Sequence, residues 1–245
     1  MPFLGSAHGA VSYGRAMNLK AFDPTSVSVP LVLWLAGNNG LSTSTSRWTD
    51  QNTTTQYTIS GTSSTVTVNG LNACELAAAS GFLNTPLTFT GAGRSVFIVL
   101  RHPSAVTTGT LYMFSGQFAG GNNVFDFRLS STSATTAVLQ NTYQGVAISG
   151  TSSNFTQIIG TPVLYSTVVT SSNVIYYLNG TSIGTSTNAG WGAVTAAPQQ
   201  VNGFNAIASQ GGPTVYCEVL VYNGSIGAID LSNVTNYLRT KWGTA

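Results

Sequence analysis

The chain has 245 residues, of which 42% are hydrophobic and only 6% are charged, and its formal net charge is +2. This apolar content excludes a disordered chain, and the eight scattered Lys and Arg residues exclude an electrostatic surface for nucleic acid or for an anionic membrane. Ordinary soluble domains are about one quarter charged, so the polar surface here must come mainly from the 62 Ser and Thr residues, with Asn and Gln.

Residues 1–20 match neither the helix period nor the strand period and are rich in Gly, Ala and Ser. We interpret them as an extended arm that precedes one domain over residues 21–245. An arm without its own core must gain its order by contact with something else. We therefore expect the arm to dock on other subunits through four residues: Phe3, Leu4, Tyr13 and Arg15.

We expect neither membrane insertion nor export through a common secretory signal. The N-terminus lacks a basic region followed by a continuous apolar stretch, so it does not resemble a signal peptide. The longest apolar runs, such as VFIVL at 96–100, are far too short to cross a bilayer.

Short strands are predicted from residue 27 onward. In VSVPLVLWLAG (27–37) the residues alternate between two faces, and Pro30 cannot donate to a ladder, so this strand should lie at an edge or begin near Leu31. The apolar run in SVFIVLRH (95–102) predicts a central strand that is covered on both faces. Asn179-Gly180 predicts a type I′ hairpin turn. Four closely spaced segments predict a meander: TLYMFSG, VFDFRLS, TTAVLQN and GVAISG.

The end of the chain predicts one strand and one amphipathic helix. In TVYCEVLVYN (214–223), strict alternation puts Val215, Cys217, Val219 and Val221 on one face. The helix is expected to begin near Asp230 as its N-cap and to end at Gly243. Its apolar stripe should cover an opening of the sandwich with Leu231, Val234, Tyr237, Leu238 and Trp242.

These segments resemble a known family. LVLWLAGNNG followed by RWTDQ, then VIYYLNGTSIG and EVLVYNGSIGAIDLSNVTNYLRTKWG, are similar to laminin-G-like domains of the concanavalin A-like lectin/glucanase superfamily. The resemblance covers about residues 27–243. It implies an all-β fold, a two-sheet antiparallel jelly-roll sandwich with one C-terminal helix, and it implies buried positions for Trp34, Trp48 and Trp242. Ala36 stands where these domains often carry Asp, which removes one polar or calcium contact.

The arm carries a second resemblance. FLGSAHGAVSYGRA is similar to Gly-rich starts of structural proteins of large DNA viruses and phages. This resemblance implies a non-enzymatic virion subunit, capsid-associated or in an appendage, whose partners are other virion subunits and whose location is the virion. The alternative is an extracellular carbohydrate-binding module. Both stay open, because an exposed sandwich on a shell can also bind glycans.

A catalytic site is not indicated by the sequence. Glycan-cleaving enzymes need two carboxylates placed on opposite sides of the scissile bond, and no two of the six Asp and Glu residues lie within ten positions of each other. We expect Glu218 to be a structural hydrogen-bonding residue near the helix. His102 should lie at a strand end, and a Ser-His-Asp arrangement stays open although no G-x-S-x-G elbow accompanies it.

The sequence gives little support for a metal site, a disulfide or a glycan site. No His, Cys or carboxylate cluster predicts a metal or cofactor, although calcium held by Asp50 or Asp126 stays open. Cys74 and Cys217 are either a disulfide or two free thiols, and Cys217 in a strand pattern is most simply a small buried hydrophobe. Trp191, in the Gly-rich loop TNAGWGAV, is the best candidate for stacking on a sugar, with a loop anchor packed on the sandwich as its alternative.

Overall fold

The described chain consists of two large antiparallel sheets, a short hairpin and one long helix. The computed structural model describes residues 22–77, 82–85, 87, 89, 91, 93–106, 110–116, 124–144, 148–187, 199–201, 203–204, 207–208 and 213–244. The 3-10 helix Pro24–Ser26 comes first, and the α-helix, α1, spans Ala228–Trp242. The strands are β1 Leu31–Ala36, β2 Leu41–Ser42, β3 Arg47–Thr49, β4 Gln56–Ser60, β5 Ser63–Val68, β6 Leu71–Leu76, β7 Phe82–Thr85, β8 Arg94–Arg101, β9 Thr110–Gly116, β10 Val124–Ser131, β11 Thr136–Gln144, β12 Ile148–Thr151, β13 Phe155–Thr156, β14 Val163–Val169, β15 Asn173–Leu178, β16 Thr181–Thr187, β17 Gln199–Val201, β18 Gly203–Phe204, β19 Ile207–Ala208 and β20 Thr214–Tyr222.

The two large sheets pack face to face as a sandwich. The first sheet has the order β16-β15-β14-β8-β20-β6-β5, with β1 also paired to β20, and the second has the order β12-β11-β10-β9-β17-β7-β4-β3-β2, with β13 paired to β11. Their inner faces share one apolar core that includes Leu33, Trp48, Ile98, Phe127 and Tyr165. The predicted all-β, two-sheet antiparallel sandwich with one C-terminal helix is confirmed.

Several local predictions are confirmed by these elements. Strand β8 lies between β14 and β20, and seven of its eight residues are buried. Strand β1 begins at Leu31, directly after Pro30. Strands β15 and β16 form the predicted hairpin, whose turn residues Asn179 and Gly180 have φ angles of 49° and 83°. The meander β9-β10-β11-β12 is formed by sequential strands of the second sheet.

Strict alternation along β20 was wrong, because the strand contains a bulge. Its pairing with β8 shifts between Tyr216 and Glu218, so Cys217 is an extra residue. Before the bulge, Tyr216 faces the core between the sheets; after it, Val219 and Val221 do so. The opposite face of the sheet, which lies under the helix, carries Val215, Cys217, Leu220 and Tyr222.

A glycine permits the backbone approach at this bulge. Gly37 N donates to Cys217 O at 2.8 Å, immediately after the end of β1. A Cβ atom on Gly37 would lie 2.8 Å from both Ala73 Cα and Asn72 O, which is closer than real Cβ atoms approach. The bulge therefore sits where β1 and β6 meet along the same edge of β20.

Helix α1 lies on the outer face of the first sheet rather than over an opening of the sandwich. Val234, Leu238 and Trp242 are buried there against a second apolar cluster that includes Phe97 and Leu220. The stripe predicted from the sequence is therefore correct, but its location is not. The reason is that the outward-facing apolar side chains of this sheet form the cluster and need a cover. Within the described ranges, no helix has the length and apolarity needed to cross a bilayer.

The prediction of Asp230 as N-cap was also wrong. The helix begins two residues earlier, at Ala228, with Gly227 as N-cap and no side-chain capping bond. The Asp230 carboxylate instead accepts hydrogen bonds from Ser28 N at 3.2 Å and Ser28 Oγ at 2.6 Å. It thus ties the helix to the segment that leads into β1. The predicted end of the helix is confirmed, since Gly243 is its C-cap with a φ of 63°.

The structure excludes a Cys74–Cys217 disulfide. Cys74 faces the core between the sheets and Cys217 faces the helix, so their side chains point away from each other across the sheet. Both are free, and both are buried.

We predict that both thiols are inert in the folded protein. Burial raises the pKa of Cys74 and of Cys217 to about 12, and the thiolate is the reactive form. An aromatic disulfide reagent at pH 8 should titrate no thiol before unfolding and two thiols in denaturant. A reductant should leave the melting temperature unchanged. Rapid reaction of the native protein, or a lower melting temperature in reductant, would contradict this assignment.

Candidate functional site

The residues predicted to bind partners lie outside the part of the chain that the structure describes. This applies to Phe3, Leu4, Tyr13 and Arg15 of the arm and to Trp191, so their roles stay predictions. Of the other tryptophans, Trp48 and Trp242 are fully buried as expected, whereas Trp34 is half-buried.

Glu218 is the centre of a buried polar cluster beneath the helix. Its Oε1 accepts hydrogen bonds from Trp34 Nε1 and from Tyr237 OH, each at 2.8 Å. Its Oε2 accepts from Trp242 Nε1 at 2.7 Å and forms an ion pair with Lys241 Nζ at 2.8 Å. We call these five residues the Glu218 cluster. Glu218 is fully buried, and its four donors connect the first sheet to the helix. The predicted role of Glu218 as a structural hydrogen-bonding residue near the helix is therefore confirmed.

The other five carboxylates also have structural partners. Asp23 caps the 3-10 helix by accepting from Thr25 N, and Glu75 accepts from Ser64 Oγ. Asp126 lies 3.8 Å from Arg128 Nε, and Asp230 binds Ser28. No three of the His, Cys, Asp and Glu residues in the described ranges form a group that could hold a metal ion.

Asp50, one of the two residues considered for calcium, organises the loop after β3. Its Oδ1 accepts from Trp34 N at 2.9 Å and from Asn52 N at 3.0 Å, while its Oδ2 accepts from Thr53 Oγ1 at 2.7 Å. It is fully buried. A carboxylate engaged by three donors stabilises the β3–β4 turn and fixes it to the middle of β1 rather than presenting oxygens to an ion.

His102 is buried beside the core and is not part of a Ser-His-Asp arrangement among the described residues. It follows the last residue of β8, as predicted, and its ring lies edge-on to Tyr165 with the centroids 6.0 Å apart. Neither ring nitrogen has a hydrogen-bond partner in the described part of the chain. Burial lowers the pKa of His102 to about 4, so it is neutral near pH 7.

We predict that His102 makes folding sensitive to acid. Its pKa is lower in the folded state than the usual 6.5, so the unfolded chain binds the proton more strongly. Stability is therefore full above pH 6.5 and is lost as the pH falls toward 4. The loss between pH 7.5 and pH 5 should be about 2 kcal/mol. Denaturant unfolding at both pH values should show a smaller loss in His102→Gln, and parallel losses in the two proteins would contradict the prediction.

A row of polar and aromatic side chains crosses the outer face of the second sheet. The cross-strand partners are Thr151 with Gln140, Gln140 with Arg128, and Arg128 with Tyr112, on β12, β11, β10 and β9. We call these four residues the outer row. Directly paired residues share one face, and four neighbouring strands span about 14 Å. On the inner face of the same strands lie Phe127, Leu129 and Leu139.

Arg128 is the central residue of the outer row. Its Nε donates to Gln140 Oε1 at 3.1 Å and lies 3.8 Å from Asp126 Oδ1, and its Cζ lies 5.7 Å from the centroid of the Tyr112 ring. Its side chain is 22% exposed. The two terminal nitrogens make no hydrogen bond to any residue that the structure describes. The guanidinium is thus held in place at one nitrogen while its other donors are available.

A second polar feature is a cleft between helix α1 and the β15–β16 turn, with a volume of about 250 Å³. We call it the helix–hairpin cleft. Nine residues line it: Asn179, Gly180, Thr181, Ala228, Leu231, Ser232, Thr235, Asn236 and Arg239.

Sequence reasoning singled out neither feature as a site. The alternation in VFDFRLS could have placed Asp126, Arg128 and Ser130 on one face, because Phe and Leu occupy the other. It could not have shown that Tyr112 and Gln140 lie beside Arg128, since that depends on the register of three strands. The cleft joins segments more than 45 residues apart and has no local signal.

Comparisons with known proteins identify the fold. No family model matches the chain, and no curated protein sequence matches it. Domain 4 of AbnA, a GH43 extracellular arabinanase from Geobacillus stearothermophilus in complex with arabinotriose, is 17% identical with a TM-score of 0.63, and the match covers 85% of this chain and 98% of that one. The binding domain of botulinum neurotoxin DC in complex with SialylT is 10% identical with a TM-score of 0.64, covering 91% of this chain and 55% of that one.

A third match is a structure of botulinum neurotoxin type C, whose cell entry depends on two ganglioside molecules. It is 10% identical with a TM-score of 0.64, covering 87% of this chain and 54% of that one. The chain therefore spans about half the length of the two neurotoxin chains. At these identities the likeness shows the fold alone, and the narrower laminin-G-like assignment stays a prediction. The chain is an all-β, two-sheet antiparallel sandwich.

Proposed function

We propose that this chain is a non-catalytic glycan-binding module, the alternative that the sequence left open beside a virion subunit. The proposal is supported by the sandwich fold, which is shared with structures that contain arabinotriose and SialylT and with a neurotoxin that depends on gangliosides. The observation that carries it is the outer row, which combines an aromatic ring with oriented donors and acceptors.

The chemistry of the outer row suits a sugar chain. The Arg128 terminal nitrogens are donors, while the Gln140 amide and the Thr151 hydroxyl both donate and accept, so together they match the alternating demands of sugar hydroxyls. Tyr112, beside the Arg128 guanidinium, adds an aromatic ring of the kind that packs against the C–H side of a sugar. Because Asp126 lies close to Arg128, the local charge is balanced, which favours a neutral glycan on this face.

Binding without cleavage agrees with the carboxylates. Hydrolysis of a glycosidic bond requires an acid and a second carboxylate about 5–10 Å apart across the substrate. All six acidic residues of the chain lie in the described ranges, and each has a structural hydrogen-bond or ion-pair partner in the fold. Of these, only Asp126 lies beside the outer row.

We predict that Tyr112→Ala weakens glycan binding by about tenfold or more, because aromatic contacts at the centre of an interface typically contribute over 1 kcal/mol. The whole chain would be screened against immobilised oligosaccharides, including arabinotriose and ganglioside sugars, and affinities would be measured by calorimetry. Tyr177→Ala is the matched control, because Tyr177 is a half-buried tyrosine on the first sheet. Unchanged affinity in a Tyr112→Ala, Arg128→Gln double variant would overturn the outer row as the binding site.

A role as a virion subunit remains a separate proposal. It rests on the resemblance of residues 1–20 to viral structural proteins, and its partners would be other virion subunits contacted by the arm. A virion location and an extracellular location are both compatible with glycan attachment.

A further inference from the structure

The helix–hairpin cleft is built by a close contact that only glycine permits. At Gly180, whose φ is 83°, a Cβ atom would lie 2.4 Å from Thr235 Cγ2 on the helix. The adjacent Asn179 is fixed to β14, since its N donates to Leu164 O and its Oδ1 accepts from Leu164 N, each at 2.8 Å. The turn and the helix therefore form two fixed walls, and such a preformed site binds a ligand at lower entropic cost.

The cleft has an uncompensated positive charge. Arg239 is the one charged residue among the nine that line it. Unlike Arg128 and Lys241, which lie beside carboxylates, Arg239 forms no ion pair with any residue in the described ranges. The remaining polar lining consists of neutral amides and hydroxyls, from Asn179, Thr181, Ser232, Thr235 and Asn236. This combination favours a ligand that carries one negative charge and several hydroxyl groups.

A buried hydroxyl in the cleft wall has no partner. Thr235 is only 7% exposed, and its Oγ1 makes no hydrogen bond within the part of the chain that the structure describes. A buried hydroxyl without a partner destabilises the folded state. A ligand oxygen that reached this buried hydroxyl would supply the missing bond.

The size of the cleft indicates a ligand larger than an inorganic anion. Its volume of about 250 Å³ is several times the roughly 30 Å³ that one water occupies in the liquid. Ala228 and Leu231 add a small apolar surface to this polar lining. A sugar unit has the matching mixture of apolar ring face and hydroxyls.

We propose that the helix–hairpin cleft binds one acidic sugar unit, with Arg239 pairing its carboxylate and the Thr235 hydroxyl bonding one of its oxygens. This inference rests on the proposed glycan-binding function but uses a separate site. The outer row lies on the outer face of the second sheet, whereas the cleft lies on the outside of the first sheet. The two sites would let one module contact a neutral part and an acidic part of a glycan-covered surface.

The test compares two sugars that differ in the carboxylate. The whole chain would be titrated with methyl glucuronide and with methyl glucoside, and binding would be followed by amide chemical shifts. Wild-type protein should bind the glucuronide at least about tenfold more tightly, since hydrogen bonds to charged groups are the stronger class. Arg239→Gln should abolish this preference. Arg47→Gln, which changes an exposed arginine on β3, should preserve it.

Thr235→Val separates ligand binding from structural damage. Removing an unpartnered hydroxyl should leave the melting temperature unchanged or raise it, while both sugars bind several-fold more weakly. A lowered melting temperature together with unaltered binding would overturn the assignment of Thr235. Equal binding of the two sugars, or equal behaviour of Arg239→Gln and Arg47→Gln, would overturn the cleft as an acidic-sugar site.

Inorganic sulfate distinguishes a sugar site from a bare anion site. If sulfate binds as tightly as the glucuronide and Thr235→Val has no effect on either, the sugar proposal fails. The outer row is tested independently by Tyr112→Ala, whose effect on the neutral glycan does not depend on Arg239. If the experiments rule out one of the two sites, the other site can therefore still be tested.

Discussion

Glu218→Gln is expected to lower the free energy of unfolding by about 3 kcal/mol or more, because removing one partner of a buried ion pair leaves the other uncompensated. Glutamine has nearly the same shape, but it replaces one acceptor oxygen by a donor NH2 group. That group would face either Trp34 Nε1 and Tyr237 OH or Trp242 Nε1 and Lys241 Nζ, all of which are donors in the Glu218 cluster. Denaturant unfolding measures the loss.

Glu75→Gln is the matched control for this prediction. Glu75 lies on the neighbouring strand β6 and accepts one hydrogen bond from Ser64 Oγ, near the surface. Surface substitutions of this kind change stability by about 0.5 kcal/mol or less. If the two variants lose similar amounts of stability, the Glu218 cluster does not stabilise the contact between the helix and the sheet as its geometry indicates.

Trp242→Ala is expected to cost about 3–5 kcal/mol, the range for removing a large buried aromatic side chain. Trp242 is fully buried between the helix and the sheet, its Nε1 donates to Glu218, and its carbonyl oxygen accepts from Asn69 Nδ2. The loss should appear as a lower melting temperature and as loss of helical circular dichroism at lower denaturant concentration.

Trp242→Phe divides this effect into packing and hydrogen bonding. Phenylalanine retains much of the ring volume but lacks the Nε1–H donor, so we expect an intermediate loss of about 1.5–3 kcal/mol, the usual contribution of a hydrogen bond to a charged group. An unchanged melting temperature in Trp242→Ala would show that the helix does not anchor the sandwich.

The fold was predictable where local patterns are strong. Pro30 located the start of β1, the run in 95–102 identified the central strand, and Asn179-Gly180 identified the hairpin. Each of these signals depends on only a few neighbouring residues. The same holds for the helix stripe, whose 3.6-residue period survives in Val234, Leu238 and Trp242.

The wrong local predictions concern features that are determined by tertiary contacts. Alternation along β20 failed because the bulge at Cys217 depends on the carbonyl taken by Gly37, a residue 180 positions away. The prediction of Asp230 as a cap is wrong because its carboxylate binds Ser28, a contact that the sequence does not show. The role of Glu218 was predicted correctly, although its four donors come from two distant elements.

The candidate sites were less predictable than the fold. The aromatic that the sequence favoured, Trp191, lies outside the described residues. The outer row depends on strand register, and the cleft depends on how far a turn extends over a helix. Neither quantity is encoded in a short motif.

The position of β20 in the first sheet has a consequence for how the protein is made. Before β20 is available, this sheet consists of separate pieces: the strands β16-β15-β14-β8, the pair β5–β6, and β1 alone. Strand β1 therefore has no partner until β20 has been made, and in the folded protein Leu31 pairs with Tyr222.

During synthesis on the ribosome, the edges of β8 and β1 that pair with β20 stay open until residue 222 has been translated. Pairing over such long sequence separations makes folding slow and exposes these edges to aggregation. We expect the nascent chain to depend on chaperones until β20 has emerged, and we expect this sheet to form in one cooperative step when β20 inserts between strands that were made long before it.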